Sequence, residues 1–130
     1  MQPLALPLVL NAYAQGIFPM ADATGDAPTY WVEPRRRAIL PLDGLHIARS
    51  LGKVVRQDRF RVTADRAFTK VIDLCAAPAP DRAESWINDA IRDCFLRLHA
   101  AGHAHSVECW LDDRLVGGLY GVGFDRVFCG

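Results

Sequence analysis

From about residue 86 onward, apolar and polar positions alternate with two clear periods. Ile91, Cys94, Phe95 and Leu98 recur at helical spacing, Asn88 precedes them as an N-cap, and Gly102 follows, so a helix is expected from Asn88 through Ala101. Beyond it, "HAHSVECWL" and "RLVGGLYGV" read as two strands flanking Asp112-Asp113, a β-hairpin, and "RVFCG" begins a further strand. Upstream, Pro7 suits the first turn of a helix running to about Gln15, with Gly16 as its left-handed stop. The stretch "IFPMADATGDAPTYWVEP" is turn-rich and reads as irregular. A short strand is expected at "AILPL", from Ala38, and a helix near 46–57. A strand at "FRVTAD" puts Phe60 and Val62 on one face, and a helix follows at about 65–75 with Phe68, Ile72 and Cys75 spaced for burial. "APAPDRAES" breaks the chain before the next helix. The order α, loop, β, α, β, α, α, β, β, β is α+β, with an antiparallel sheet in the C-terminal half.

The helix near 46–57 carries two stripes. Ile47, Leu51, Val54 and Val55 form an apolar one, expected to pack, while Arg49, Lys53 and Arg56 form a basic one on roughly the opposite side. These cations belong to an asymmetry hidden by a net charge of zero: residues 33–66 hold nine basic and four acidic side chains, leaving the rest of the chain acidic. A local basic block suits contact with a polyanion, or is simply a solvated face.

At 130 residues, 51% of them hydrophobic, the chain fits one domain or part of a larger protein. It lacks an apolar run of membrane-spanning length and the charged start and cleavage motif of a secretory signal, so a soluble, cytoplasmic protein is expected. Cys75, Cys94, Cys109 and Cys129 stand singly, as buried free thiols rather than a disulfide framework. Phe18, Tyr30 and Trp31 in the irregular stretch either close a small core or offer flat faces to a base.

The segment "GHAHSVECW" at 102–110 invites a metal reading. On a strand, however, His103, His105, Val107 and Cys109 face one way and Ser106, Glu108 and Trp110 the other. His105 and Cys109 then lie about 13 Å apart, too far to share one ion through bonds of about 2 Å. Two histidines alone make a poor site, so no metal is expected. Nucleophile-elbow, P-loop and dinucleotide signatures are missing, and Gly117 and Gly118 mark either a bulge or a close approach of backbone to a ligand.

Several segments taken together, "AYAQGIFPM", "WVEPRRRAIL", "LHIARS", "ESWI", "LHAAGHAHSVECW", "LVGGLYGV" and "VFCG", resemble the leucyl/phenylalanyl-tRNA protein transferases in order and spacing, from about Pro7 to Gly130. The resemblance implies an enzyme of the bacterial cytoplasm that needs no cofactor. It would move leucine or phenylalanine, with methionine as a third candidate, from aminoacyl-tRNA to the N-terminal arginine or lysine of acceptor proteins, marking them for degradation. It also implies an acyltransferase-like domain of the Gcn5-related type over 37–130, incomplete at its C-terminal side, preceded by a partial N-terminal domain over 1–36. By position, Trp86 and Met20 fall where the tRNA's terminal adenosine would be held, Met20 replacing a tryptophan usual in the family. Leu119, Phe128 and Gly130 fall in the pocket for the amino-acid side chain, and Tyr13 and Phe95 in the cleft, Phe95 where some members have tyrosine. Arg49, Lys53 and Arg56 fall where a basic helix meets tRNA phosphates. The family's catalytic residues correspond to no position up to Gly130. Two other readings are a non-catalytic tRNA-binding module and an acyl-CoA-dependent N-acyltransferase, although the latter's phosphate-cradling glycine turn is not found in this sequence.

Overall fold

The computed structural model describes residues 1–130 as an α+β fold. Helix α1 (Leu6–Ala14) leads to a short pair of strands, β1 (Phe18–Met20) and β2 (Tyr30–Val32). Helix α2 (Arg49–Gln57), strand β3 (Arg61–Ala64), and helices α3 (Phe68–Ala76) and α4 (Asp89–Ala100) follow. Strands β4 (Ala104–Leu111), β5 (Arg114–Phe124) and β6 (Val127–Cys129) complete an antiparallel sheet in the order β3-β4-β5-β6.

Helices α1 and α4 end alike. Gly16 and Gly102 adopt φ of 82° and 86°, and the following N–H groups reach back, Ile17 to Ala12 O and His103 to Leu98 O, both at 2.8 Å. This is the six-to-one bond of a Schellman stop, which a residue with a Cβ accommodates poorly. At the other end of α4 the Asn88 side chain accepts from the Ile91 N–H at 2.8 Å. The hairpin turns at Asp112-Asp113, with Leu111 paired to Arg114 and Asp112 at φ 53°.

One face of the sheet, with Ala104, Ser106 and Glu108 of β4 and Tyr120 and Val122 of β5, is buried against α3 and α4. Phe68, Val71, Ile72, Ile91, Cys94, Phe95 and Leu98 complete this core, and Val9 and Tyr13 of α1 close it from below. On β5 the register slips between Cys109↔Gly117 and Trp110↔Leu115, so Val116 is the extra residue of a bulge beside Gly117. Gly118 has a packing reason instead: a Cβ there would lie 3.1 Å from both Val107 O and Val71 Cγ2.

Several expectations are corrected. The turn-rich stretch after α1 contains a regular antiparallel pair, Phe18↔Val32 to Met20↔Tyr30; Pro19 is tolerated because a two-stranded ribbon leaves each strand one free edge. Conversely, "AILPL" forms no strand. It has no partner, Pro41 lacks a donor, and Ile39, Leu40 and Leu42 lie exposed. Helix α2 starts at Arg49 rather than near 46, and its apolar stripe does not pack: Ile47, Leu51 and Val55 are all more than half exposed. Helix α3 starts at Phe68 rather than 65, because Asp65 stands at φ 57° and is tied to β4, its N–H donating to Ser106 O at 2.9 Å. Of the four free cysteines only Cys94 is buried; Cys75, Cys109 and Cys129 are half-buried.

Candidate functional site

Strand β6 pairs with Val122–Phe124, and its ladder does not extend to Gly118–Gly121 of β5. Along that stretch lies a cavity of about 400 Å³, within the usual size of a small-molecule site. Its walls come from elements far apart in sequence: Tyr13 of α1, Phe18 and Met20 of β1, Cys75 of α3, Trp86 and Ile87 of the loop before α4, and Phe95 of α4. Residues 118–121 of β5 and Cys129 and Gly130 at the chain end close it.

The loop carrying Trp86 is fixed by its backbone. Ala21 N–H donates to Trp86 O at 3.1 Å, the Ile87 N–H to Ser85 Oγ at 3.2 Å, and the Asp89 N–H to Gly25 O at 2.8 Å. The indole itself remains 38% exposed, so a flat ring is presented at the cavity mouth. Behind it lies Tyr120, centroids 6.4 Å apart and planes 25° apart, and Tyr120 in turn meets Phe95 edge-on at 5.1 Å.

Two cations border this aromatic wall. The Arg37 guanidinium stands 4.9 Å from the centre of the Phe18 ring, and Arg82 is braced by donating to Ala77 O at 2.9 Å. Burial pushes the Tyr13 and Tyr120 hydroxyls well above the ordinary phenol value. The Cys129 and Cys94 thiols add to the first shift, and Cys75 and Tyr13 to the second. Burial also raises the Cys75 thiol, against the opposing pull of Arg82. These three groups stay neutral near pH 7. The cavity thus offers aromatic and aliphatic surface, neutral hydroxyls and peripheral positive charge. That combination suits an apolar or aromatic group that carries a negative charge nearby.

Of the residues singled out from the sequence, Tyr13, Met20, Trp86, Phe95, Leu119 and Gly130 line this one cavity. Leu119 is half-exposed and points to the sheet face opposite Tyr120, although it too borders the cavity. Phe128 does not line the cavity. It pairs with Gly123 on the outer face, and its ring lies over Gly121, where a Cβ would come within 2.7 Å of Phe128 Cζ. Arg49, Lys53 and Arg56 are exposed on α2, which supplies no lining residue. Arg37, Arg82 and Tyr120 are the residues that sequence reading missed; Arg37, at the end of the triplet 35–37, had only its charge as a signal.

The "GHAHSVECW" segment is otherwise engaged. His105 Nδ1 lies 2.8 Å from Asp65 Oδ2, and His99 Nδ1 2.8 Å from Ala104 O. No three His, Cys, Asp or Glu side chains converge as a metal site would require.

Residues 39–130 match the family model described as leucyl/phenylalanyl-tRNA protein transferase, and residues 3–35 match the model for that protein's N-terminal domain. The chain belongs to the leucyl/phenylalanyl-tRNA protein transferase family. Similar transferases of this name include that of Novosphingobium aromaticivorans, 58% identical over 99% of this chain and 50% of the relative. That of Zymomonas mobilis is 59% identical over 95% of this chain and 46% of the relative. That of Rhodospirillum rubrum is 52% identical over 95% and 58% respectively. The chain spans about half the length of the curated relatives it matches. No helix is long and apolar enough to cross a membrane.

Proposed function

We propose that the cavity beside β5 recognises the aminoacyl-adenosine end of leucyl- or phenylalanyl-tRNA, with methionyl-tRNA as a third candidate. The chain thereby serves transfer of that amino acid to the N-terminal arginine or lysine of acceptor proteins in the cytoplasm. In that reaction the acceptor's free α-amine attacks the ester carbonyl, a C–N bond forms, the C–O bond breaks, and the ribose hydroxyl leaves with a proton. One observation carries the reading: a half-exposed indole at the mouth of an aromatic cavity bordered by two arginines. Trp86 stacks the adenine, which base–aromatic contacts reward by about 1–3 kcal/mol. Met20, also lining the cavity, adds a thioether to its wall. The cavity takes the amino-acid side chain, Leu119 and Gly130 bordering it, with Tyr13 and Phe95 inside. Phe128 shapes this region from the outer face, through Gly121.

The division into a partial N-terminal domain, 1–36, and a Gcn5-related acyltransferase-like domain, 37–130, belongs to the same proposal. It is supported by the four-stranded antiparallel sheet with α3 and α4 on one face. No residue of this chain is assigned to catalysis. A tRNA-binding role without transfer is the second reading, favoured by the outward basic stripe of α2, which stands apart from the cavity lining.

The test is transfer of labelled phenylalanine from charged tRNA to a peptide with N-terminal arginine, run with this chain and with a version extended at both ends. Binding of an amide-linked phenylalanyl-adenosine is measured alongside. Binding by both, lost in Trp86→Ala, is expected. Failure of either to bind the analogue overturns the proposal, whereas binding without transfer by the extended version establishes the second reading.

A further inference from the structure

Tyr120 is an anomaly within the cavity wall. The residue is only 8% exposed and its ring packs against Phe68, Phe95 and Trp86, yet its hydroxyl has no hydrogen-bond partner. Buried hydroxyls are ordinarily satisfied, and one left alone is costly compared with a phenylalanine of the same shape. The packing of the ring therefore explains an aromatic residue at 120 but not its oxygen. Tyr120 itself lines the cavity, beside Cys75 and Tyr13.

We infer that the Tyr120 hydroxyl is held in reserve for the ligand and donates to the carbonyl oxygen of the acyl group whose side chain fills the cavity. The inference rests on the aminoacyl-adenosine reading above. A phenol that keeps its proton is a donor, and the neutral acceptor beside a buried amino-acid side chain is its carbonyl. An ammonium carries donors only and cannot accept from the phenol. Access runs past Trp86. Of the three rings around Tyr120, Phe68 and Phe95 are buried in the core, while Trp86 is the exposed one, on a loop whose backbone is tied down.

The experiment is a two-by-two cycle. The unaltered chain and Tyr120→Phe are each titrated with amide-linked phenylalanyl-adenosine and with its trans-alkene isostere, which keeps the shape but lacks the carbonyl. The unaltered chain is expected to favour the amide by about three- to tenfold, the worth of one neutral hydrogen bond. Tyr120→Phe is expected to bind both within twofold, and to unfold at the same or higher urea concentration. Equal carbonyl dependence in the two proteins overturns the inference, as does a less stable Tyr120→Phe, which would mean the hydroxyl already has a partner. Failure of the unaltered chain to bind the amide removes the functional reading as well, whereas binding indifferent to Tyr120 removes this inference alone.

Discussion

The Thr63 hydroxyl donates to the Glu108 carboxylate across β3 and β4 at 2.6 Å, while accepting at 2.9 Å from the indole N–H of Trp110. Glu108 is fully buried, and its other donors are the Ser106 hydroxyl, the Arg66 N–H at 3.0 Å and the Ala67 N–H. The last two lead into α3, whose N-cap residue, Ala67, has no capping side chain of its own. A strand carboxylate thus caps a helix and fixes α3, with its cavity residue Cys75, against the sheet.

Glu108→Gln should be strongly destabilising. An amide places an N–H where the carboxylate accepts from donors, so about 2–4 kcal/mol is expected to be lost, read from urea unfolding at pH 7. The same residue sets an acid limb. Burial alone would raise its pKa, but the hydrogen bonds from Ser106, Thr63, Arg66 and Ala67 outweigh burial and hold it below the ordinary 4.5. Its stabilisation is therefore complete above that value and disappears as pH falls through the lower folded-state value. Between about pH 5 and about pH 3 the parent should lose more stability than Glu108→Gln. Parallel curves would refute the assignment.

Asn88 joins the loop before β2 to the start of α4. Besides capping α4, its Nδ2 donates to Ala27 O and to Thr29 Oγ1, both at 2.7 Å, from a side chain that is 2% exposed. Asn88→Ala should cost about 2–3 kcal/mol, a cap plus two buried hydrogen bonds. Asn88→Asp keeps the cap, and the Thr29 hydroxyl can turn to donate to it, but a buried charge then faces the Ala27 carbonyl with no donor between them. Thermal unfolding should place both variants well below the parent, with no rescue by aspartate.

At Gly121 an added Cβ would sit 2.2 Å from Cys129 O and 2.7 Å from Phe128 Cζ. One of these neighbours is backbone, so β6 must shift and carry Cys129 and Gly130 with it. Gly121→Ala should destabilise by about 1–3 kcal/mol and weaken analogue binding, since both displaced residues line the cavity. Gly123→Ala is the control, because its Cβ would meet nothing closer than 3.7 Å. Equal affinity in the two variants would show that β6 does not shape the site.

Local signals made α4 and the β4–β5 hairpin legible: a capping Asn88, a terminal Gly102 and an apolar stripe that is buried throughout. The same logic failed at α2, where a strong stripe finds nothing to cover. Periodicity states which face is apolar but not whether a partner exists. Pairing of β1 with β2 was hidden because it depends on the distant loop of Trp86 and the start of α4, which hold the segment in place. The gathering of Tyr13, Met20, Trp86 and Phe95 was legible only through family resemblance, since they stand on four different elements. Arg37 and Arg82 lie in segments without a period, and Tyr120 reads as sheet core because a buried hydroxyl without a partner leaves no trace in a residue pattern.

The separation of two sets of cations predicts two distinguishable effects of charge removal. Arg37 and Arg82 border the cavity, the first over Phe18 and the second braced on Ala77 O, so under the proposed function they are the cations nearest the ligand's phosphate. Arg37→Ala with Arg82→Ala should weaken a phenylalanyl-adenosine analogue bearing a 5′-phosphate by about three- to tenfold, and the analogue without phosphate much less. Arg49, Lys53 and Arg56 lie on an exposed helix outside the cavity. Their joint replacement by alanine should leave both small analogues unaffected. With tRNA it should flatten the dependence of log affinity on log salt by about 2–3, because each phosphate left unneutralised lowers the slope by roughly one. A salt slope unchanged by the triple replacement would leave α2 as a solvated face, and weaker binding of the small analogues would mean that α2 reaches the cavity after all.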